Sequence, residues 1–315
     1  MPETTRRRPV SLSGHKYGKE NHRSGAGNVL QPACHWGSRE LRTKTMGRYS
    51  RPRTLAGIGI FSFSQYTEIT GCLPPSSIMV YYCPEMYTIH FSDTTPLLSD
   101  TWDERLWSGA EALKLTHFRP EGSGHRPETT LRLLYHDSGV SGLFRIEDRF
   151  VRSVRTQDMD DIWKDSCVEF FVQPKPDRGY LNFEFNCGGA MLGSHITDHE
   201  RTHDGFRDFK RFTLEDCAQV LRKATMPRRI DPEISTPVLW MIGFFIPFTL
   251  LEKYMGPLGS IAGQQWKANA YKCGDETSHP HWVSWQPLPA KNFHLPESFG
   301  SMVFSDRPRN PQFSA

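Results

Sequence analysis

The sequence predicts an all-β fold: an antiparallel β-sandwich, jelly-roll-like, with one or two short helices and a disordered basic extension at the N-terminus. Three observations carry that expectation. Short alternating or apolar runs recur about every 8–12 residues between turn residues. Glycine and proline are plentiful, 25 and 23 among 315 residues, which favours turns over long helices. Helical spacing is confined to two short stretches.

Residues 1–85 are rich in Arg, Ser, Gly and Pro and show no sustained period of 2 or 3.6. Such a segment buries too little apolar area to offset its ordering entropy, so it is expected to be disordered and dispensable. Met86 opens "MYTIHF", which reads as a first strand and as an alternative start to Met1. "DERLWSGAEAL" reads as a short helix. "TLRLLYHD" and "GLFRIED" read as a hairpin joined at "SGVS". "SCVEFFV" and "YLNFEFN" follow as strands around the turn "QPKPDRG". Period 2 puts Leu181, Phe183 and Phe185 in the core and turns Tyr180, Asn182, Glu184 and Asn186 outward. "TLEDCAQVLRKAT", 213–225, has helical spacing at Leu214, Cys217, Val220 and Leu221. "VLWMIGFFIPFTLL" reads as a buried strand ending near Pro247, because proline cannot continue a helix there. "WKANAYKC", "HWVSW" and "GSMVFS" supply the last strands. The sandwich is expected over 86–306, with 307–315 a tail.

The net charge of +3 hides an asymmetry. Residues 1–85 hold 12 Lys and Arg against 5 Glu, so the rest of the chain is net acidic. Basicity in the extension alone does not point to a nucleic-acid partner. No apolar run approaches the ~18 residues of a membrane span. No apolar segment of signal-peptide type follows Met1; "RYSRPRTLAGIGIF…ITGC", ending at Cys72, has lipoprotein order but is interrupted by Gln65 and Glu68. The seven cysteines form no C-x-x-C and no regular framework.

Three clusters could carry chemistry. His199-Glu200-Arg201-Thr202-His203 spells H-E-x-x-H. A zinc hydrolase needs that motif on a helix. Here glycines flank it and Phe206 and Phe209 stand where the extended motif has Gly and His, so a solvated loop is expected. In "IWKDSCVEFFVQP", Trp163 and Glu169 lie six apart; on one extended strand they would share a side, an aromatic plate beside a carboxylate. That pairing suits a sugar, whose C–H face stacks on an indole. The alternative is a core tryptophan and a surface glutamate. In "HWVSWQPLPAKNFHLPESFG", Trp282 and Trp285 lie three apart, so one faces the core and the other faces out.

The ordered blocks "WKDSCVEFFVQP", "YLNFEFNCGG" and "NAYKCGD…HWVSW…FHLPESFG" resemble the family 9 carbohydrate-binding modules, over about residues 86–306. The resemblance implies a non-catalytic β-sandwich, often with structural calcium and no organic cofactor, that grips a terminal sugar between two tryptophans. It makes Trp163 the first plate, Glu169 the carboxylate beside it, Trp285 the second plate, and Asn186 and Lys272 hydrogen-bonding groups. It also implies a role in carbohydrate catabolism, glycan-degrading enzymes as partners, and an extracytoplasmic place that sits awkwardly with the missing signal at Met1. The insert 193–238 departs from the better-known modules and could reshape the site. Other readings are a glycoside hydrolase using Glu169 and Asp165, with Glu184 as a further carboxylate; a haem-binding DOMON-type domain using Met191 and His195; and a zinc hydrolase at the HERTH stretch.

Overall fold

The computed structural model describes residues 86–93, 102 and 105–307. The 1–85 extension, with Cys72, and nearly all of the 307–315 tail lie outside the described residues. The described chain opens with β1 (Tyr87–Phe91), α1 (Arg105–Ser108), β2 (Leu113–Leu115) and β3 (His117–Phe118). It continues with β4 (Glu128–Tyr135), β5 (Gly139–Asp148), β6 (Val151–Ser153), β7 (Cys167–Gln173) and β8 (Tyr180–Asn186). Then come β9 (Met191–Thr202), β10 (Gly205–Arg211), α2 (Leu214–Gln219), β11 (Leu221–Ala224), β12 (Ile230–Ile234) and β13 (Val238–Pro247). The chain closes with α3 (Phe248–Met255), β14 (Gln265–Cys273), β15 (Trp282–Ser284) and β16 (Gly300–Phe304).

One hydrogen-bonded path runs β10-β9-β8-β7-β14-β16-β1-β4-β5-β13-β11. It divides into two sheets at β1, which pairs in parallel with β16 on one side and β4 on the other. The other pairings are antiparallel. The core lies between the sheets: Phe244 of β13 stacks on Phe185 of β8 at 5.2 Å and on Phe170 of β7 at 6.0 Å. Val168, Phe170 and Val172 join Leu181, Phe183 and Phe185 in that cluster, as period 2 requires. Each such side chain contributes about 1.5–3 kcal/mol on burial.

Three local expectations need correction. The β4–β5 turn is made by His136, Asp137 and Ser138, with the His136 N–H donating to the Gly139 carbonyl at 2.9 Å, so "SGVS" is mostly strand. The stretch 213–225 is only half helix. α2 is capped by Thr213 and Asp216, stops at Gln219, and gives way to β11 paired with β13. Edge pairing with a ten-residue neighbour outweighs a weak helical pattern. β13 ends at Pro247 as expected, and the run after it is a helix, with Phe248, Leu250, Leu251 and Met255 buried. Proline ends the β13 ladder, and the remaining apolar residues fall on one helical face.

The third correction positions the site. All seven residues of β8 are buried, including Tyr180, Asn182, Glu184 and Asn186, which were expected to face out. Their sheet has a covered outer face. The cover comes from the 3₁₀ turn Ile162–Lys164, the β9–β10 hairpin and the segment after β14.

Candidate functional site

Between that outer face and its cover lies a cavity of about 390 Å³, of the size small ligands use. Its floor is built by register. Glu169 on β7 stands opposite Glu184 on β8 and Tyr271 on β14, while Asn182 stands opposite Ser194 on β9. Glu169, Asn182, Ser194 and Cys273 line the cavity. Two small apolar clusters flank this polar strip. Ile162, Leu192 and Trp282 belong to one, and Phe171, Tyr180 and Tyr271 to the other.

Three walls complete it. The first is the 3₁₀ turn, which brings in Asp161 and Trp163. Trp163 is therefore not on the β7 strand, and it shares the cavity with Glu169 because the turn folds over the sheet. Asp165 holds that turn in place. Its fully buried carboxylate accepts from the Val154 and Arg155 N–H groups at 3.0 and 2.9 Å, from the Arg155 guanidinium at 3.2 Å and from the Asn186 amide at 3.2 Å. The second wall is the hairpin from the insert, carrying Arg201, Phe206, Phe209 and Arg211. The third contains Asp275, Trp282, Lys291 and His294. The Trp282 indole N–H donates to Asp275 at 2.7 Å, and the Lys291 ammonium sits 3.3 Å from its ring centroid.

The floor is short of hydrogen-bond partners. Asn182 donates its amide to Glu184 Oε1 at 2.7 Å, but Asn182 Oδ1 and Glu184 Oε2 are buried with no partner. Burial pushes the Glu169 carboxyl well above the usual carboxylate range, and Cys273 and Glu184 push the same way. Burial lifts Glu184 to about 8, against the pull of the Asn182 amide and of Arg211 and Arg201. Burial also holds His294 well below the ordinary histidine range, so its neutral ring meets the Tyr180 hydroxyl at 2.8 Å. The result is a concave surface with two indoles, neutral carboxyl groups and an unspent amide oxygen. It can stack an apolar face and accept hydroxyl hydrogen bonds without placing a full negative charge on its floor.

Of the five residues expected to bind, the structure brings Trp163 and Glu169 together here and places three elsewhere. Trp285 belongs to the core, 4% exposed and edge-on to Tyr87 at 6.4 Å. Trp282, three residues away and therefore on the other face, lines the cavity instead. Asn186 is a brace: its amide serves Asp165 and the Arg155 carbonyl, and its oxygen accepts from the Ala190 N–H. Lys272 points to the opposite side of the sheet. Its ammonium lies 2.7 Å from His281 Nε2 and 3.4 Å from Asp148, inside the sandwich. The hairpin residues and Asn182 escaped the sequence reading. The signal for Asn182 was its even spacing with Glu184 on β8.

The other candidates separate. Asp165 is spent on the turn and does not line the cavity, so a Glu169–Asp165 pair across a bound sugar is not assembled. The HERTH residues run along the end of β9 and into the hairpin turn rather than a helix. Strand residues four apart stand about 13 Å apart, too far to share an ion. His195 is bonded to the Arg178 carbonyl at 2.7 Å and Met191 is in the core. Among the described residues, three His, Cys, Asp or Glu donor atoms converge in two places: His125 with Asp148 and His281, and Cys167 with Glu169 and Cys273. The Lys272 ammonium already fills the first. Neither is the oxygen-rich set that calcium takes.

A family model for carbohydrate-binding family 9 matches residues 109–304. The crystal structure of a candidate carbohydrate-binding protein from Bacteroides uniformis is similar, with a TM-score of 0.62 and 27% identity over 70% of this chain and 100% of that one. Two structures of a family 9 module from Caldicellulosiruptor kristjanssonii, one with glucose and one with cellotriose, have TM-scores of 0.49 at 13% and 12% identity. Each covers 71% of this chain, and 99% and 96% of the module respectively. No curated protein matches the chain.

Proposed function

Since the chain belongs to carbohydrate-binding family 9, we propose that the cavity over β7, β8, β9 and β14 binds carbohydrate non-covalently. The observation that carries this reading is the pairing of two indoles, Trp163 and Trp282, with a buried floor whose Asn182 oxygen lacks a partner. A pyranose ring offers C–H faces to the indoles and a hydroxyl donor to that oxygen. The neutral Glu169 carboxyl can donate to one hydroxyl and accept from another. Binding of this kind is micromolar to millimolar, because each hydroxyl gives up water first. Kinship supports a part in carbohydrate breakdown, beside glycan-degrading enzymes, that needs no catalysis by this chain.

The test is tryptophan fluorescence of the full chain titrated with a panel of mono- and oligosaccharides that includes glucose and cellotriose. One sugar class should give a saturable change, and Trp163→Ala and Trp282→Ala should each weaken it at least tenfold, about 1.4 kcal/mol. A panel with no saturable response, or affinity unchanged in both variants, refutes the reading.

A further inference from the structure

The cavity floor contains a pair of thiols that sugar recognition does not use. β7 and β14 pair so that Cys167 stands directly opposite Cys273. Glu169 lies two residues along β7, on the same face. The Cys273 thiol donates to Glu169 Oε1 at 3.2 Å, and the donor atoms of all three residues lie within 4.8 Å of one another. All three are buried, at 0%, 3% and 1% exposure for Cys167, Glu169 and Cys273, and both cysteines are free thiols. A thiol is a weak hydrogen-bond donor, so a facing pair adds little to a sugar site.

We propose that Cys167, Cys273 and Glu169 form a three-ligand site for a thiophilic divalent cation, with zinc as the representative ion and its fourth position open to the cavity. Zinc–sulfur bonds of about 2.3 Å and zinc–oxygen bonds of about 2.0 Å in a tetrahedron put sulfurs about 3.8 Å apart and sulfur about 3.5 Å from oxygen. The Cys273–Glu169 separation of 3.2 Å is close to that value, and the 4.8 Å limit on the set leaves only a small side-chain adjustment. Thiolates select zinc over calcium or magnesium. Cys273 and Glu169 line the cavity, so the remaining position faces a space large enough for a water or a ligand oxygen. Three protein ligands and one open position is the arrangement of zinc sites that take an exogenous oxygen. Binding is a proton exchange without redox change. The cation displaces one proton from each thiol and one from the Glu169 carboxyl, and all three go to solvent. The bound set carries one net negative charge, in a cavity lined by Arg201, Arg211 and Lys291 as well as by Asp161, Asp204 and Asp275.

The site is distinct from the HERTH stretch and does not require sugar binding to be correct. The experiment uses the full chain under reducing conditions, titrated with Zn²⁺ by calorimetry and with Co²⁺ by absorption. The expected result is one equivalent of zinc and a thiolate-to-cobalt charge-transfer band. Cys167→Ala and Cys273→Ala should each abolish the band and weaken zinc at least a hundredfold, Glu169→Gln at least tenfold, and His199→Ala should change neither. Zinc should raise the melting temperature of the wild type and not of the cysteine variants. Absence of the cobalt band is read on the wild-type chain, so it decides against the site even where a variant folds poorly. No band in the wild type, zinc retained equally by both cysteine variants, or loss of zinc only in His199→Ala overturns the proposal. Sugar binding lost with the metal site intact would overturn the functional reading alone.

Discussion

Lys272→Met tests what the buried ion pair does. Lys272 is fully buried, and its ammonium donates to the Cys273 carbonyl at 2.9 Å and to His281 Nε2 at 2.7 Å, with Asp148 Oδ2 3.4 Å away. Asp148 ends β5 and Lys272 lies on β14, so the pair ties one sheet to the other. Burial alone would raise the Asp148 carboxyl; Lys272, His125, His281 and Trp240 together hold it far below the usual carboxylate range. Methionine matches the side chain out to Cε and removes the ammonium. Breaking a buried pair on one side costs about 3–5 kcal/mol, because the other charge stays buried without its partner. Here Asp148 keeps hydrogen bonds from the His125 ring at 2.7 Å, the Trp240 indole at 3.0 Å and the Arg149 N–H at 2.7 Å. The low end, about 3 kcal/mol, is therefore expected, more than a hundredfold in the folding equilibrium. Urea denaturation at pH 8 measures it. Asp148→Asn and the double variant complete a cycle, and the coupling should reach about 2 kcal/mol. The loss should shrink at pH 5.5, where His281, freed of the Lys272 charge, can protonate beside Asp148. Sugar affinity of the folded fraction should not change. Additivity of the two substitutions within about 0.5 kcal/mol would show that the pair does not couple the sheets.

Trp285→Ala should cost about 3–5 kcal/mol in urea denaturation, since it empties a packed core position. Trp282→Ala should cost less, since its void opens onto the existing cavity, and the reverse order would contradict the placement of the two indoles. The His281 contribution to stability should fall as the pH drops below about 6.5. Burial, reinforced by Lys272, lowers His281 to about 3, so between those values the unfolded chain binds the extra proton and each pH unit costs about 1.4 kcal/mol. The raised Glu169 and Glu184 carboxyls act with the opposite sign, so the check is the difference in urea midpoint between the wild type and His281→Gln from pH 7.5 to 5; a difference that does not change with pH would exclude a buried neutral His281.

Period 2 was enough to find most of the strands, because alternation in β4, β7 and β8 and the continuous apolar run of β13 each reflect a side chain's side of a sheet. It could not say what lies on the far side. For β8, alternation alone turns the polar residues to solvent, since an Asn or Glu on an outer face ordinarily meets water. What covers them is the β9–β10 hairpin, nine residues and more further along the chain, and the 282–294 segment, about a hundred residues away. No local pattern links those pieces. The same limit explains Trp282 and Trp285. Their odd spacing requires opposite faces, but only the pairing of β15 with β14, Cys273 opposite Trp282, decides which indole reaches the cavity. It also explains Asn186 and Lys272, whose polarity reads equally well as ligand contact or as internal brace until their partners, Asp165 and Asp148, are known. The insert is the decisive piece. Remove the hairpin and the outer face of β8 becomes the wet surface that alternation predicts. With it in place, Glu169, Asn182 and Glu184 are buried beneath the cavity. Their unspent oxygens and raised carboxyl groups follow from that cover rather than from any motif, so the binding chemistry here depends on a segment outside the resembling blocks.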